Sequence, residues 1–372
     1  MRTTRARSVA IIGTRGYPSH YGGFETAVRH VAPRLADDGW HVTVYGRGGL
    51  PREGVEADPR IERIDTPGIE RRSISTLTFG LTAALHAAIR RPDVALVMNV
   101  ANGFWLPLLA ARGVPTVVNV DGIEWERAKW GRLARTVFRL GAWFTAKFGT
   151  ALVVDARALG DFWRDRFGRS STFIPYGGEP SISDSATNPF RPGEYVLFVA
   201  RFVPENSVEE FFAAALELAA DHDVVLVGSS GYGGALDDAA ASLSREHERI
   251  HWLGHVRDDA LLHRLWREAG AYFHGHSVGG TNPALVQAMT SGAATVARDT
   301  VFNREVLQDN GLFVPPQPGV IASEIRRVLD DRALRERLVR GARERAGAVY
   351  TWQRVSAGYS DLLEKVRRKS RS

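Results

Sequence analysis

The chain has 372 residues, 44% of them hydrophobic and 24% charged, with a formal net charge of +6 and no cysteine. That length exceeds what one hydrophobic core usually serves, so two domains of roughly 170 residues each are expected, and the balance of apolar and charged residues excludes global disorder. A disulfide framework, a thiolate nucleophile and a cysteine-held metal are excluded, and no run approaches the roughly 18 apolar residues of a spanning helix, so a cytoplasmic protein is expected.

From the N-terminus, residues 9–13 read as a strand rather than a leader peptide. Gly13-Thr14-Arg15-Gly16-Tyr17-Pro18 and Tyr21-Gly22-Gly23-Phe24-Glu25 follow it, leading into a helix with apolar positions Phe24, Val28, Val31 and Leu35. Glycines let backbone approach a diphosphate, and a helix start aims its positive end there. The spacing is neither Gly-x-Gly-x-x-Gly nor a P-loop, so a plain turn is the alternative. Further strands are expected at 41–45, 61–65, 94–99, 116–120, 151–155 and 172–175, alternating with helical patterns as parallel α/β units do. Asn119-Val120-Asp121-Gly122-Ile123-Glu124 ends one of them, at the side where open parallel sheets form their ligand crevice. Asp121 and Glu124 are therefore either groups that orient an acceptor hydroxyl or take its proton, or ordinary surface acids. Six cations lie between Arg127 and Lys147 with only Glu126 beside them, while Trp130, Leu133, Val137, Leu140 and Phe144 recur at helical spacing. Such a helix either packs on its own domain with a solvated basic face or touches anionic membrane.

Residues 177–192 are rich in Gly, Pro, Ser and Asn and read as a linker. Strands are then expected at 195–200, 224–228, 250–253, 271–273, 294–297 and 311–314. Arg201 emerges where the first of these ends, placed either to grip a leaving diphosphate or to form a surface ion pair. His274-Gly275-His276-Ser277-Val278-Gly279-Gly280-Thr281-Asn282-Pro283 follows another strand and precedes a helix. Gly279-Gly280 leaves the backbone uncrowded, Thr281 or Asn282 can cap the helix and Pro283 suits its first turn, an anion site in outline. Gln287, one turn on, can reach toward ribose or sugar hydroxyls. His274 and His276 have no nearby carboxylate and make a poor metal site. A last helix with Trp352, Val355, Tyr359, Leu362 and Val366 at helical spacing could pack on either domain, and the basic tail beyond it lacks any nucleic-acid reader motif.

The series Tyr21-Gly22-Gly23-Phe24-Glu25, Asn119-Val120-Asp121-Gly122-Ile123-Glu124-Trp125, Ile174-Pro175-Tyr176-Gly177, Arg201-Phe202-Val203-Pro204-Glu205-Asn206 and Val278-Gly279-Gly280-Thr281-Asn282-Pro283 resembles the family 4 glycosyltransferases, and more narrowly the bacterial rhamnosyltransferase-like subgroup of surface-polysaccharide assembly. The resemblance runs over about residues 8 to 360. It implies an α/β, GT-B fold of two Rossmann-like domains facing each other across a cleft. Residues 1–178 would form the acceptor-side domain, 179–192 the linker, 193–348 the nucleotide-sugar domain, and 349–372 a helix crossing back to the first domain with its basic tail. It further implies a retaining, metal-independent transfer from a nucleotide-diphosphate-sugar co-substrate, with no cofactor, to a glycan or lipid-linked acceptor; the membrane-touching reading of the basic helix would place a cytoplasmic chain peripherally at the inner face of the plasma membrane.

Residue by residue, Gly22 and Gly23 resemble the glycine pair facing the donor phosphates, and Arg201 the diphosphate arginine. Backbone around Gly279, Gly280, Thr281 and Asn282 would bind phosphate or sugar, and His255 and Val256 lie where the nucleobase loop belongs. Asp121 stands where relatives place a histidine near the reacting sugar, with Glu25 and Glu124 on the acceptor side. Two departures stand out: Asn206 replaces a lysine expected at the diphosphate, and Gln287 replaces a glutamate expected on the ribose. A neutral amide in place of a charged acceptor weakens donor binding by about 1–2 kcal/mol, so restoring glutamate at 287 is expected to raise donor affinity modestly. A non-catalytic nucleotide-sugar-binding module and a sugar-nucleotide epimerase are the alternatives on the same fold.

Overall fold

The computed structural model describes residues 7–19, 22–48, 57–71, 74–120, 122–123, 125, 131–179, 186–231 and 233–371. The chain forms two compact units, Met1–Tyr176 with Trp352–Ser372, and Gly177–Thr351.

The first unit runs β1 (Arg7–Ile12), α1 (Gly23–Asp37), β2 (Trp40–Arg47), β3 (Ile61–Thr66), α2 (Ser75–Arg90), β4 (Val94–Met98), α3 (Leu106–Ala111), β5 (Thr116–Asn119), α4 (Arg132–Phe148), β6 (Ala151–Val154), α5 (Arg157–Phe167) and β7 (Thr172–Phe173). Its seven strands lie in the order β3-β2-β1-β4-β5-β6-β7, all parallel. Val-Ala-Leu-Val-Met of β4 is buried along its whole length, the pattern of a central strand covered by helices on both faces. The order reverses between β1 and β4, so a ligand crevice belongs at their carboxyl ends.

The second unit runs β8 (Tyr195–Val199), α6 (Val208–Leu218), β9 (Asp223–Val227), α7 (Ala235–Glu246), β10 (Ile250–Trp252), α8 (Asp259–Glu268), β11 (Ala271–His274), α9 (Pro283–Ser291), β12 (Thr295–Arg298), α10 (Val301–Leu307), β13 (Leu312–Val314), α11 (Pro318–Asp330) and α12 (Arg332–Val349). Its strand order is β10-β9-β8-β11-β12-β13, again parallel, with the reversal between β8 and β11. The stretch expected as a linker is not loose where it is described. Asn188 donates to Glu268 Oε2 at 2.8 Å, and the Phe190 ring lies 5.4 Å from that of Tyr195 and 4.9 Å from that of His251. One aromatic and one amide side chain seat it on the unit, which its Gly, Pro and Ser content did not reveal.

The final helix, α13 (Trp352–Lys369), belongs to the first unit. Val355, Tyr359, Leu362, Leu363 and Val366 join the core made by β1, β2, β4 and α1. Trp352 stacks on His30 with centroids 4.2 Å apart, and the buried Asn119 amide donates to Tyr359 Oη at 2.6 Å.

Arginines close the carboxyl ends of several helices, whose last carbonyls lack partners within the helix. Arg169 donates to Ala146 O at the end of α4 (2.7 Å), Arg343 to Ser291 O of α9 (2.8 Å), Arg345 to Val306 O of α10 (2.6 Å) and Arg326 to Glu217 O of α6 (2.6 Å).

Tyr359→Phe removes the acceptor of a buried amide and is expected to lower stability by about 1–2 kcal/mol in urea denaturation. Burial, followed by the Arg29 charge, holds the His30 imidazole down to about 4. The unfolded chain thus takes up this proton near pH 6.5 while the folded one resists it, so stability is full above about pH 6.5 and declines as pH falls toward 4. His30→Phe keeps the stacking on Trp352 and is expected to flatten that decline, measured by urea midpoints from pH 7.5 to 4.

Candidate functional site

At the reversal in the second unit, the loops after β8 and β11 are laced together. Gly275 packs so closely that a Cβ there would lie 2.1 Å from Asn206 O, so only glycine fits. Ser277 N and Oγ both donate to Glu205 O at 2.9 Å, and Ser207 Oγ donates to Gly275 O at 2.9 Å. Asn206, buried, donates from Nδ2 to Arg201 O (2.7 Å), and its Oδ1 lies 2.6 Å from His276 Nδ1. Since Nδ2 faces the carbonyl, Oδ1 faces the ring, and His276 Nδ1 carries the proton that joins them. Asn206 thus fastens one loop to the other, a use of the position quite unlike a diphosphate lysine.

The rim continues through the neighbouring strands. Gly228, after β9, has φ +129 and leaves no room for a Cβ, which would lie 1.8 Å from Ala200 O. Gly228 N donates to Gly254 O at 2.7 Å, and Phe202 N to Ser229 O at 3.1 Å. Arg201, His255 and Val256, Asn206 and the 279–282 turn therefore share the carboxyl edge of one sheet. Arg201 is exposed, with no carboxylate in ion-pair contact among the described residues. Its chemistry suits a mobile anion.

Gly279 adopts φ +94, a backbone region glycine enters freely, and turns the chain into α9. Asn282 caps the helix, its side chain accepting from Ala284 N at 2.9 Å, with Pro283 in the first turn and Thr281 buried beside it. Asn282's side-chain oxygen is thereby engaged by the helix. Gln287 is engaged too: its amide pairs with the backbone of Glu179 and with His263.

Two side chains that the sequence did not single out support this rim. Arg298, ending β12, donates to Ser207 Oγ at 2.9 Å. Asn303 donates to His276 O (2.9 Å) and Arg298 O (2.8 Å), pinning the His276 loop from behind. The position of Arg298 at the carboxyl end of a strand was the available signal. His274 is buried in β11 with Nδ1 2.9 Å from Tyr272 Oη; burial, and then the His276 charge, push its imidazole well below the ordinary value. Among the described residues no group of three or more His, Cys, Asp or Glu side chains converges as a metal site would.

In the first unit, Gly22 precedes α1 and Gly23 begins it, with a Cβ on Gly23 falling 3.1 Å from Tyr176 Oη. Glu25 is buried in the first turn and accepts from Arg15 N at 3.0 Å, tying the loop after β1 to α1. That carboxylate therefore positions its own loop. Asp121 and Glu124 lie outside the described residues.

Comparison with known proteins agrees with this architecture. The family profile described as Glycosyltransferase Family 4 matches residues 21–178, and that described as Glycosyl transferases group 1 matches residues 183–345. The phosphatidyl-myo-inositol mannosyltransferase of Mycolicibacterium smegmatis is 34% identical over 185 residues, 47% of this chain and 46% of that protein, so the match spans about half the length of that relative. Sucrose-phosphate synthase from Thermosynechococcus elongatus shares the fold with a TM-score of 0.82 at 19% identity, over 98% of this chain and 100% of that one. Anabaena HepE in complex with UDP-glucose does so with a TM-score of 0.73 at 14% identity, over 97% and 100%. With two parallel Rossmann-like sheets, each matched in turn by one of these profiles, the chain is a glycosyltransferase of the GT-B type, belonging with family 4.

Proposed function

We propose that the second unit holds a nucleotide-diphosphate-sugar and that the chain transfers its hexosyl group, rhamnose in our reading, to a glycan or lipid-linked acceptor in surface-polysaccharide synthesis. The observation that carries this reading is the laced rim that sets an exposed, carboxylate-free Arg201 on the same sheet edge as the start of α9. In the transfer, the bond between the anomeric carbon and the diphosphate oxygen breaks and its electron pair leaves with the diphosphate. Arg201 and the N-terminal turn at Gly279, Gly280 and Thr281 meet the charge that develops there, in place of a metal. The acceptor hydroxyl forms the new bond and gives up its proton to a carboxylate, Asp121 in our reading, and the configuration at the anomeric carbon is retained. The nucleotide bound by Anabaena HepE supports a uridine donor; His255 and Val256 would face the base.

The measurement is a thermal-shift screen against nucleoside diphosphates and their sugars, where a ligand at a hundred times its Kd adds about 2.7 kcal/mol of stability. Arg201→Ala is expected to lower turnover on the responding donor at least a hundredfold, about 2.7 kcal/mol of lost leaving-group stabilisation. Near-normal turnover removes Arg201 from the mechanism.

The acceptor side of the reading includes peripheral contact with anionic membrane. No helix among the described residues is long and apolar enough to cross one. Helices α2, α3 and α4 contain no acidic residue, and α2 and α4 expose Ile89 (76%) and Leu133 (81%), together with Leu140 and Trp143. In α4 the residues turned inward are Gly141, Ala142 and Thr145, small enough for its backbone to lie against the 100–105 turn: a Cβ on Gly103 would come 2.2 Å from Gly141 O. Leu133, Leu140 and Trp143 are left outside, with Arg132, Arg139 and Lys147 among them, a composition suited to an anionic lipid surface. Sedimentation with phosphatidylglycerol vesicles is expected to exceed that with phosphatidylcholine vesicles several-fold, and Leu140→Asp with Trp143→Ala to abolish the difference. Equal sedimentation with both lipids defeats the contact.

A further inference from the structure

Gln287 is the position where the family resemblance leads one to expect a ribose contact, yet its amide is already matched on both sides. Oε1 accepts from Glu179 N at 3.1 Å, and Nε2 donates to Glu179 O at 2.6 Å. The second hydrogen of Nε2 points to His263 Nδ1 at 2.9 Å, which also lies 3.1 Å from Ser291 Oγ. This orientation of the amide is forced, because a swapped one would set N–H against N–H and carbonyl against carbonyl.

The segment that Gln287 holds is built for its seat. A Cβ on Gly178 would lie 2.5 Å from Thr290 Oγ1 and 3.1 Å from Val286 Cγ1, so only glycine lets the chain lie on α9. Gly178 N donates to Tyr350 O at 2.8 Å, and Gly178 pairs with Thr351 in a parallel bridge. The residues where the chain first enters and finally leaves the second unit are thus clamped side by side, and α9 is the floor beneath Gly178.

We infer that Gln287 is a positioning residue: it fastens Gly178–Glu179 to helix α9, and its amide is not a nucleotide contact. A glutamate cannot do the same work at neutral pH. A carboxylate only accepts, so it would keep the bond from Glu179 N, lose the one to Glu179 O, and set its second oxygen against both that carbonyl and His263 Nδ1. Glutamine at 287 is therefore a replacement with its own function, and the affinity gain expected from restoring glutamate does not arise. The inference rests on the donor reading in one respect only, that the first turn of α9 lies at the diphosphate.

The test compares wild type, Gln287→Ala and Gln287→Glu by amide hydrogen exchange resolved at Glu179, with the Gly270 amide, held by Tyr195 O in the sheet, as the internal control. At pH 7.5 both variants are expected to exchange at Glu179 at least tenfold faster than wild type, with Gly270 unchanged. At about pH 4.5, near the carboxyl group's own pKa, a protonated glutamate both donates and accepts as the amide does, so the excess exchange of Gln287→Glu, corrected for intrinsic rates, is expected to shrink while that of Gln287→Ala persists. In parallel, calorimetric titration with UDP, GDP and dTDP is expected to give Gln287→Glu no tighter binding than wild type. Unchanged exchange at Glu179 in Gln287→Ala overturns the inference, as does a several-fold tighter nucleotide complex with Gln287→Glu. Failure of wild type to bind any of the nucleotides counts against the donor reading alone, and the exchange measurement still decides the fastening.

Discussion

The close approach of Gly275 to the backbone of Asn206 is the constraint on which the second unit's working edge depends. Parallel strands β8 and β11 are neighbours, but adjacency alone does not decide how the chain behaves beyond them. With no side chain at 275, the two loops meet backbone to backbone, and four hydrogen bonds then join them, one from Ser207, two from Ser277 and one between His276 and Asn206 Oδ1. Arg201 and the turn before α9 inherit their positions from that seam. A rigid seam under a flexible guanidinium is the arrangement expected where charge must be met without prior rearrangement of the backbone.

The net charge of +6 finds a partly structural explanation. Arg169, Arg326, Arg343 and Arg345 each reach to the end of a helix and bind carbonyls that have no partner inside it. A guanidinium suits this task because its donors lie in a rigid plane and its charge opposes the negative end of the helix. Helix α12 alone supplies two of the four. The cations of α4 are of another kind, since Arg132, Arg139 and Lys147 lie on an exposed surface that contains no carboxylate of its own helix.

Much of the fold was legible in the sequence because parallel α/β units write their strands as short apolar runs between helical periods. The segments 195–200, 224–228 and 271–273 fall within a residue or so of β8, β9 and β11. The glycine-rich turns were legible for the same reason, since they follow those strands. What the sequence withheld were contacts between distant positions. Gln287 meets a backbone 108 residues away, and nothing near it indicates that its amide is already engaged. In α4, hydrophobic spacing grouped Leu133, Leu140 and Phe144 on one face without deciding what it meets; Leu133 and Leu140 are exposed, Phe144 lies 5.3 Å from the Phe104 ring, and close approach to Gly103 buries the small residues Gly141, Ala142 and Thr145. Spacing reports which residues share a face, and only the partner's shape decides which face is covered. Of the candidate acids, Glu25 proved to hold its own loop, while Asp121 and Glu124 lie outside the described residues.

The first unit is discontinuous along the chain, because α13 fills its core from beyond the whole of the second unit. During synthesis, Gly177–Thr351 emerges as an unbroken stretch and can complete its sheet and helices as soon as it clears the ribosome. The earlier residues must wait. Until α13 arrives, the core shared by β1, β2, β4 and α1 lacks Val355, Tyr359, Leu362, Leu363 and Val366, so the part of the protein made first is the part finished last. A nascent chain of this design carries an unfinished hydrophobic core through most of its translation.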